Sequence, residues 1–138
     1  MRHIDNVFRL LTKEDFSMQR ILIVDDEEQI RKMLGIMLRN EGYYVEDAAD
    51  GNAALALLET QSFDLVITDI VMPEKEGLET IMELKKKYPT IKIIAISGGG
   101  RVSPVHYLEG AKALGATHVF SKPVKITMLL SAIKQALS

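Results

Sequence analysis

The sequence predicts an α/β fold with a doubly wound, five-stranded parallel sheet and helices on both faces. Short, nearly uninterrupted runs rich in Ile and Val recur along the chain, and such runs are typical of strands buried on both faces. Segments with helical periodicity lie between them, and glycine or proline marks many of the boundaries. Five β-α units in succession imply a parallel sheet between two helical layers.

Five segments are predicted to form strands, in chain order residues 21–24, 43–48, 63–68, 91–96 and 117–121. Apolar side chains between them fall at helical spacing, and the clearest sets are Ile30, Met33, Leu34, Met37 and Leu38, then Leu78, Ile81 and Met82, then Ile126, Leu129, Leu130 and Ile133. Tyr88-Pro89 should end the third helix, because a residue before proline avoids the α region. Ser103-Pro104 should begin the fourth helix.

Residues 1–18 are predicted to be an N-terminal extension of a domain that spans residues 19–138. In this extension Ile4, Val7, Phe8 and Leu11 lie at the spacing of one helical face. A helix this short is marginal in water. If it forms, it would have to dock on its own domain or on a second copy of the chain, and the second arrangement would give a weak homodimer. Its charges cancel, which argues against a membrane-surface helix. Alternatively, Met18 is the natural start and the preceding residues are an upstream artefact.

Composition excludes several classes of function. The chain has 138 residues, 47% of them apolar, and a net charge of −2, so it suits one globular domain and lacks a broad basic surface for nucleic acid. It contains no cysteine, which excludes disulfides and thiol chemistry. No apolar stretch approaches the roughly 20 residues needed to cross a bilayer, and there is no secretory signal pattern. We therefore expect a cytoplasmic protein.

Chemically distinctive side chains stand at the ends of four predicted strands. Asp25 and Asp26 follow the first strand, Asp69 the third, Ser97 the fourth and Lys122 the fifth. These groups should converge, because the C-terminal ends of parallel strands share the sheet edge where ligands bind. Carboxylates gathered there repel one another, and Mg²⁺ relieves that repulsion best, since it accepts a few carboxylates and completes its shell with phosphate oxygens. The set predicts a site for Mg²⁺ and a phosphoryl group.

Each of these residues alone would be weak evidence. The acidic pair continues into Glu27-Glu28, and an acidic run after a strand is most often a solvated turn or a helix start. Ser97 alone would cap a turn, and Lys122 alone would be an ordinary surface lysine. The combination and its order along the chain make the functional interpretation specific.

Met72-Pro73 and Gly77 follow Asp69 at a characteristic spacing. With them, the pattern from about residue 20 to residue 138 resembles the receiver domain of bacterial two-component response regulators. The resemblance implies a flavodoxin-like sheet with strand order 2-1-3-4-5. Because the last predicted helix ends at Ser138, we expect a stand-alone receiver, similar to the chemotaxis regulators, without an output domain.

The resemblance also implies roles for the site residues. Asp69 would be the nucleophile that accepts the phosphoryl group. Asp26 and Asp69 would bind Mg²⁺ directly, Asp25 would bind it through water, and the main-chain carbonyl of Val71 would contribute a further ligand. Lys122 would place a point charge on the phosphoryl group.

Two further features concern switching and the last strand. The resemblance implies that the Ser97 hydroxyl moves to the phosphoryl group on activation and that the Lys122-Pro123 bond is cis. Three positions before the lysine the family often has Tyr or Phe, whereas this chain has Val119. Phe120 should point to the opposite face, because side chains alternate along a strand. We therefore interpret Phe120 as core packing and question the usual aromatic switch.

The predicted function is phosphoacceptance from a histidine kinase or a histidine phosphotransfer protein, followed by altered binding of a downstream protein. We expect no direct nucleic-acid or membrane partner and no enzymatic turnover beyond the protein's own phosphorylation and dephosphorylation. Two alternatives remain open at this point. One is a phosphorylation-independent adaptor, and the other is a flavodoxin-like nucleotide-binding module that would use the glycines after Ser97.

Overall fold

The computed structural model describes residues 18–70, 77–98 and 104–138, with backbone only for 104–108. The strands are β1 (Arg20–Val24), β2 (Tyr44–Ala48), β3 (Leu65–Asp69), β4 (Lys92–Ser97) and β5 (His118–Ser121). The helices are α1 (Glu28–Asn40), α2 (Gly51–Thr60), α3 (Gly77–Lys87), α4 (Pro104–Ala113) and α5 (Ile126–Leu137). The predicted N-terminal helix falls on residues 1–17, outside the described residues, and it and the predicted division at residue 18 stay predictions.

All five strands are parallel and form one sheet in the order β2-β1-β3-β4-β5. This confirms the predicted fold class and strand order. The order reverses direction after β1, so β1 and β3 lie side by side at the centre of the sheet. In open α/β sheets, ligands bind at that switch point, beyond the C-terminal ends of the strands.

Two apolar cores lie on opposite faces of the sheet. One contains Leu34 of α1 and Leu129 of α5. The other contains Leu58 of α2, Ile81 of α3 and Ala111 of α4. Alternate residues of each strand supply the two cores, which explains why the strands are continuous apolar runs.

Helix boundaries largely follow the sequence signals. α3 ends at Lys87, just before Tyr88-Pro89, and α4 begins at Pro104, although Ser103 lies outside the described residues. The predicted apolar faces were too wide at two positions. Met33 is 46% exposed and Met82 is 52% exposed, so helical spacing overestimated the burial of both. No helix in the described ranges is long and apolar enough to span a membrane.

Gly77 allows α3 to begin directly against the end of β3. A Cβ at this position would overlap main-chain atoms of Ile70 and the carbonyl oxygen of Asp69. The Gly77 amide instead donates to the Ile70 carbonyl oxygen at 3.2 Å. Close backbone approach therefore explains the glycine behind Asp69.

Candidate functional site

Two carboxylates lie at the centre of the C-terminal sheet edge. Asp25 directly follows β1 and is 4% exposed, while Asp69 is the last residue of β3 and is 6% exposed. β1 and β3 are hydrogen-bonded neighbours with Val24 paired to Thr68, so the two acidic residues are held side by side. Carboxylates are rarely so buried without a partner.

Lys122 bridges the two carboxylates. Its Nζ donates to Asp69 Oδ2 at 2.9 Å and to Asp25 Oδ2 at 3.2 Å. The lysine follows β5, and its amide continues the ladder by donating to the Ser97 carbonyl oxygen at 2.8 Å. The Lys122-Pro123 bond is cis, as the resemblance implied.

The ionisation of these groups reflects burial and mutual contact. Burial raises the pKa of the Asp25 carboxyl, and the charge of Asp69 adds to this, while the Glu27 amide and Lys122 act in the opposite direction. Burial by itself lowers the pKa of the Lys122 ammonium, but the hydrogen bonds and charges of Asp69 and Asp25 outweigh it, so the pKa is raised. Lys122 is therefore firmly cationic at neutral pH.

The β1–α1 turn gathers further carboxylates beside Asp25. One carboxylate oxygen each from Asp25, Asp26 and Glu27 lie within 4.8 Å of one another. Asp25 is buried, whereas Asp26 and Glu27 are exposed, so the cluster opens to solvent. Oxygen donors at this spacing fit a hard cation that keeps several waters, as Mg²⁺ does. Asp69 is not part of this cluster but is linked to Asp25 through Lys122.

Ser97 is completely buried at the end of β4. Its Oγ has no hydrogen-bond partner within the described part of the chain, which is unusual for a buried hydroxyl. Ser97 pairs with Ser121, the residue before Lys122. A buried donor without a partner among the described residues, at the edge where Asp69 and Lys122 lie, is available to a ligand.

Gly98 leaves room for the Lys122 side chain. A Cβ on Gly98 would overlap the Cβ, Cγ and Cδ atoms of Lys122. The aliphatic stem of the lysine therefore passes directly over the Gly98 backbone on its way to the carboxylates.

Side chains on β5 lie on the faces that strand alternation predicts. Val119 packs against the core of α2, α3 and α4, whereas Phe120 packs against the core of α1 and α5. This confirms that Phe120 contributes to packing and cannot replace an aromatic residue at position 119. Val71, Met72 and Pro73 lie outside the described residues, so the carbonyl ligand assigned to Val71 stays a prediction.

A cleft of about 530 Å³ leads from the carboxylates to the surface. Ile30 and Met33 of α1 line one side, and Pro123, Val124 and Ile126 line the other. Most of the cleft lining is apolar, and Asp25, Asp69 and Lys122 supply charged groups to it. Concave sites of this kind commonly accept a partner's side chain or a ligand.

Residues 21–134 match the response regulator receiver domain family. The chain belongs to this family. The transcriptional regulatory protein CpxR of Klebsiella pneumoniae is 37% identical over 120 residues, which cover 87% of this chain and 50% of that protein. The chain thus spans about half the length of this relative.

Solved structures of receivers are also similar. The chemotaxis protein CheY4 of Vibrio cholerae is 34% identical, with a TM-score of 0.77 over 87% of this chain and 99% of that one. TrrA of Thermotoga maritima, in complex with Mg²⁺ and BeF, is 37% identical, with a TM-score of 0.76 over 87% of this chain and 100% of that one. Receiver domains belong to two-component signalling systems and bind Mg²⁺ at an acidic pocket.

The structure brings together Asp25, Asp69 and Lys122 in direct contact, with Asp26 and Ser97 at the same edge of the sheet. Sequence reasoning missed Arg31, whose guanidinium reaches the main chain of Asp25, and the close packing of Gly98. The signal that could have identified Gly98 was its position directly after Ser97 in the sequence. No local signal distinguished Arg31 from other arginines on a helix.

Proposed function

We propose that this receiver domain takes a phosphoryl group from a phosphohistidine onto Asp69. The observation that carries the proposal is the Lys122 bridge between two buried carboxylates at the switch point of the sheet. An oxygen of the Asp69 carboxylate would attack phosphorus and form an O–P bond. The P–N bond to the donor imidazole would break, and the imidazole would leave with its electron pair and take up a proton from solvent.

The residues present fit the magnesium ion that this chemistry needs. Asp25, Asp26 and Asp69 would hold it, with the carbonyl of Val71 as a further ligand. When bound, Mg²⁺ supplies positive charge that offsets the charge developing on the phosphoryl oxygens. The exposed edge of the acidic cluster leaves space for the waters that Mg²⁺ retains.

Lys122 and Ser97 would respond to the phosphoryl group. Lys122 already contacts Asp69 and would contact a phosphoryl oxygen as well. The buried Ser97 hydroxyl, which lacks a partner among the described residues, would donate to a second phosphoryl oxygen. Movement of Ser97 would shift the population of the neighbouring α4–β5 surface and change partner binding. With Val119 in place of an aromatic residue, we propose that backbone movement near Ser97, rather than a ring rotation, carries the signal.

The cleft between α1 and the β5–α5 connection would admit the phosphodonor. The donor must reach Asp69, which lines the cleft, and Met33 of α1 lines it too while remaining exposed to solvent. Ile36, one turn further along α1, is also exposed. A histidine kinase or histidine phosphotransfer protein presenting phosphohistidine is the partner that this arrangement fits. After phosphorylation, a downstream protein would bind the altered surface.

The protein would act in the cytoplasm as a switch rather than as an enzyme with turnover on a substrate. One relative is named a transcriptional regulatory protein, and that protein is about twice as long as the aligned stretch. The net charge of the present chain is −2, so we propose that the receiver itself signals through protein contacts and does not bind DNA directly. Family membership favours this function over a flavodoxin-like nucleotide site.

Labelling with acetyl phosphate, followed by mass spectrometry, tests the proposal. We expect one phosphoryl group on the wild type with Mg²⁺, and none on Asp69→Asn or in EDTA. Asp64→Asn is the matched control, because Asp64 is exposed at the opposite end of β3, and it should label normally. Equal labelling of Asp69→Asn would refute the role of Asp69. A wild type that does not label, yet still binds its partner, would support the phosphorylation-independent adaptor.

A further inference from the structure

Arg31 of α1 has a guanidinium that contacts both the acidic turn and the neighbouring strand. Its NH1 donates to the main-chain carbonyl oxygen of Asp25 at 2.7 Å. Its Nε donates to Asp47 Oδ2 on β2 at 3.1 Å. The Arg31 side chain is 16% exposed and that of Asp47 is 46% exposed. The bond to the Asp25 carbonyl oxygen is therefore partly shielded from solvent, whereas the ion pair with Asp47 is open to solvent and is weaker for that reason.

The β1–α1 turn depends on contacts of this kind, because its helix lacks an ordinary cap. The N-cap residue Glu27 makes no side-chain capping bond. Instead, Asp25 Oδ1 accepts from the Glu27 amide at 2.9 Å, and the Asp25 amide donates to the Ala48 carbonyl oxygen at 3.2 Å. The hydrogen bond from Arg31 to the Asp25 carbonyl oxygen is a further contact that fixes the position of Asp25.

We propose that Arg31 is a positioning residue for the magnesium site, with Asp47 as its orienting partner. Arg31 holds the main chain of Asp25, so that the carboxylates of Asp25 and Asp26 face Asp69. This inference rests on the proposed function, because it assigns a residue that sets the geometry of the same site. Partners that orient metal ligands typically change metal affinity 10- to 100-fold when they are removed.

Charge and position predict opposite results for Arg31→Met. If Arg31 acted only through its positive charge, its removal would tighten binding of a cation, since one repulsive charge near the site would be lost. If Arg31 positions the turn, its removal should weaken Mg²⁺ binding about 10-fold. Arg31→Lys keeps the charge but cannot form the two-pronged contact, so it should also weaken binding, to a smaller extent.

Arg39→Met is the matched control. Arg39 lies on the same helix and also donates to a main-chain carbonyl oxygen of β2, that of Val45, at 3.1 Å. Its hydrogen bond goes to β2 rather than to the acidic turn, so its substitution should leave Mg²⁺ affinity unchanged. Asp47→Ala removes the orienting partner and should weaken Mg²⁺ binding in the same direction as Arg31→Met, by a smaller factor.

Mg²⁺ titration of ¹⁵N-labelled protein, followed through the amide resonances of residues 25–27, measures the affinities directly. Weakened binding in Arg31→Met with unchanged Arg39→Met supports the inference. Unchanged or tighter binding in Arg31→Met, or equal weakening in Arg39→Met, overturns it. If Arg31→Met does not fold, Arg31→Lys decides instead, because it keeps the positive charge: weaker binding supports the inference and unchanged binding overturns it. Failure of the wild type to bind Mg²⁺ would instead overturn the proposed function, and this inference with it.

Discussion

Lys122→Met isolates the contribution of the ammonium, because methionine retains much of the aliphatic stem that passes over Gly98. The substitution leaves Asp25 and Asp69 buried without the cation that contacts both. Removing one partner of a fully buried ion pair costs about 3–5 kcal/mol. The Lys122 side chain is 23% exposed, so solvent reduces the loss to about 2–3 kcal/mol. Since domains are stable by about 5–15 kcal/mol, the variant should still fold.

The loss of stability in Lys122→Met should depend on pH and on Mg²⁺. The pKa of Lys122 is raised in the folded state, so its stabilisation is complete at neutral pH and is lost only as pH rises through that raised value. Without Lys122, the pKa of Asp25, already raised by burial, should rise further. The variant should therefore regain stability as pH falls through the Asp25 pKa, and millimolar Mg²⁺ at neutral pH should also restore it.

Urea unfolding followed by far-UV circular dichroism measures these differences in EDTA, in Mg²⁺ and at about pH 4. Lys125→Met is the matched control, because Lys125 is exposed three residues further along the same connection, and its substitution should change stability by less than about 0.5 kcal/mol. If Lys122→Met loses the same amount of stability under all three conditions, the electrostatic explanation is refuted. Lys122 would then stabilise the fold through packing of its aliphatic stem.

Three further outcomes are expected. Gly98→Ala should displace Lys122 and reduce partner binding by the phosphorylated protein, measured by pull-down, whereas Gly110→Ala, whose added methyl would meet only ordinary contacts, should not. Asp25→Asn should raise the neutral-pH stability of the metal-free protein, because burial raises the pKa of the Asp25 carboxyl and its ionised form therefore opposes folding. Lower stability of this variant in EDTA would contradict the explanation. A chain that begins at Met18 should label normally with acetyl phosphate. Its sedimentation behaviour will show whether residues 1–17 support self-association. Loss of labelling would show instead that residues 1–17 support the phosphorylation site.

Local patterns were enough to predict the sheet and which side chains lie at its C-terminal edge. Ile/Val runs identified the strands because burial on both faces removes the polar alternation of a surface strand. The observed strand order also agrees with the family resemblance. Asp25, Asp69 and Ser97 were recognisable because parallel strands present their C-terminal ends at one edge. That rule follows from topology alone and needs no knowledge of side-chain contacts.

Contacts between distant elements were decided only by the tertiary structure. Whether Met33 is covered depends on how α1 lies against the sheet, and helical spacing alone overestimated its burial. The bridge from Lys122 to both carboxylates requires the exact separation of β1, β3 and β5 and a glycine at position 98. Arg31 reaches the Asp25 carbonyl because α1 packs beside β2. Sequence periodicity specifies which face of an element is buried, but the partners of a long side chain depend on distances that are set when the elements pack together.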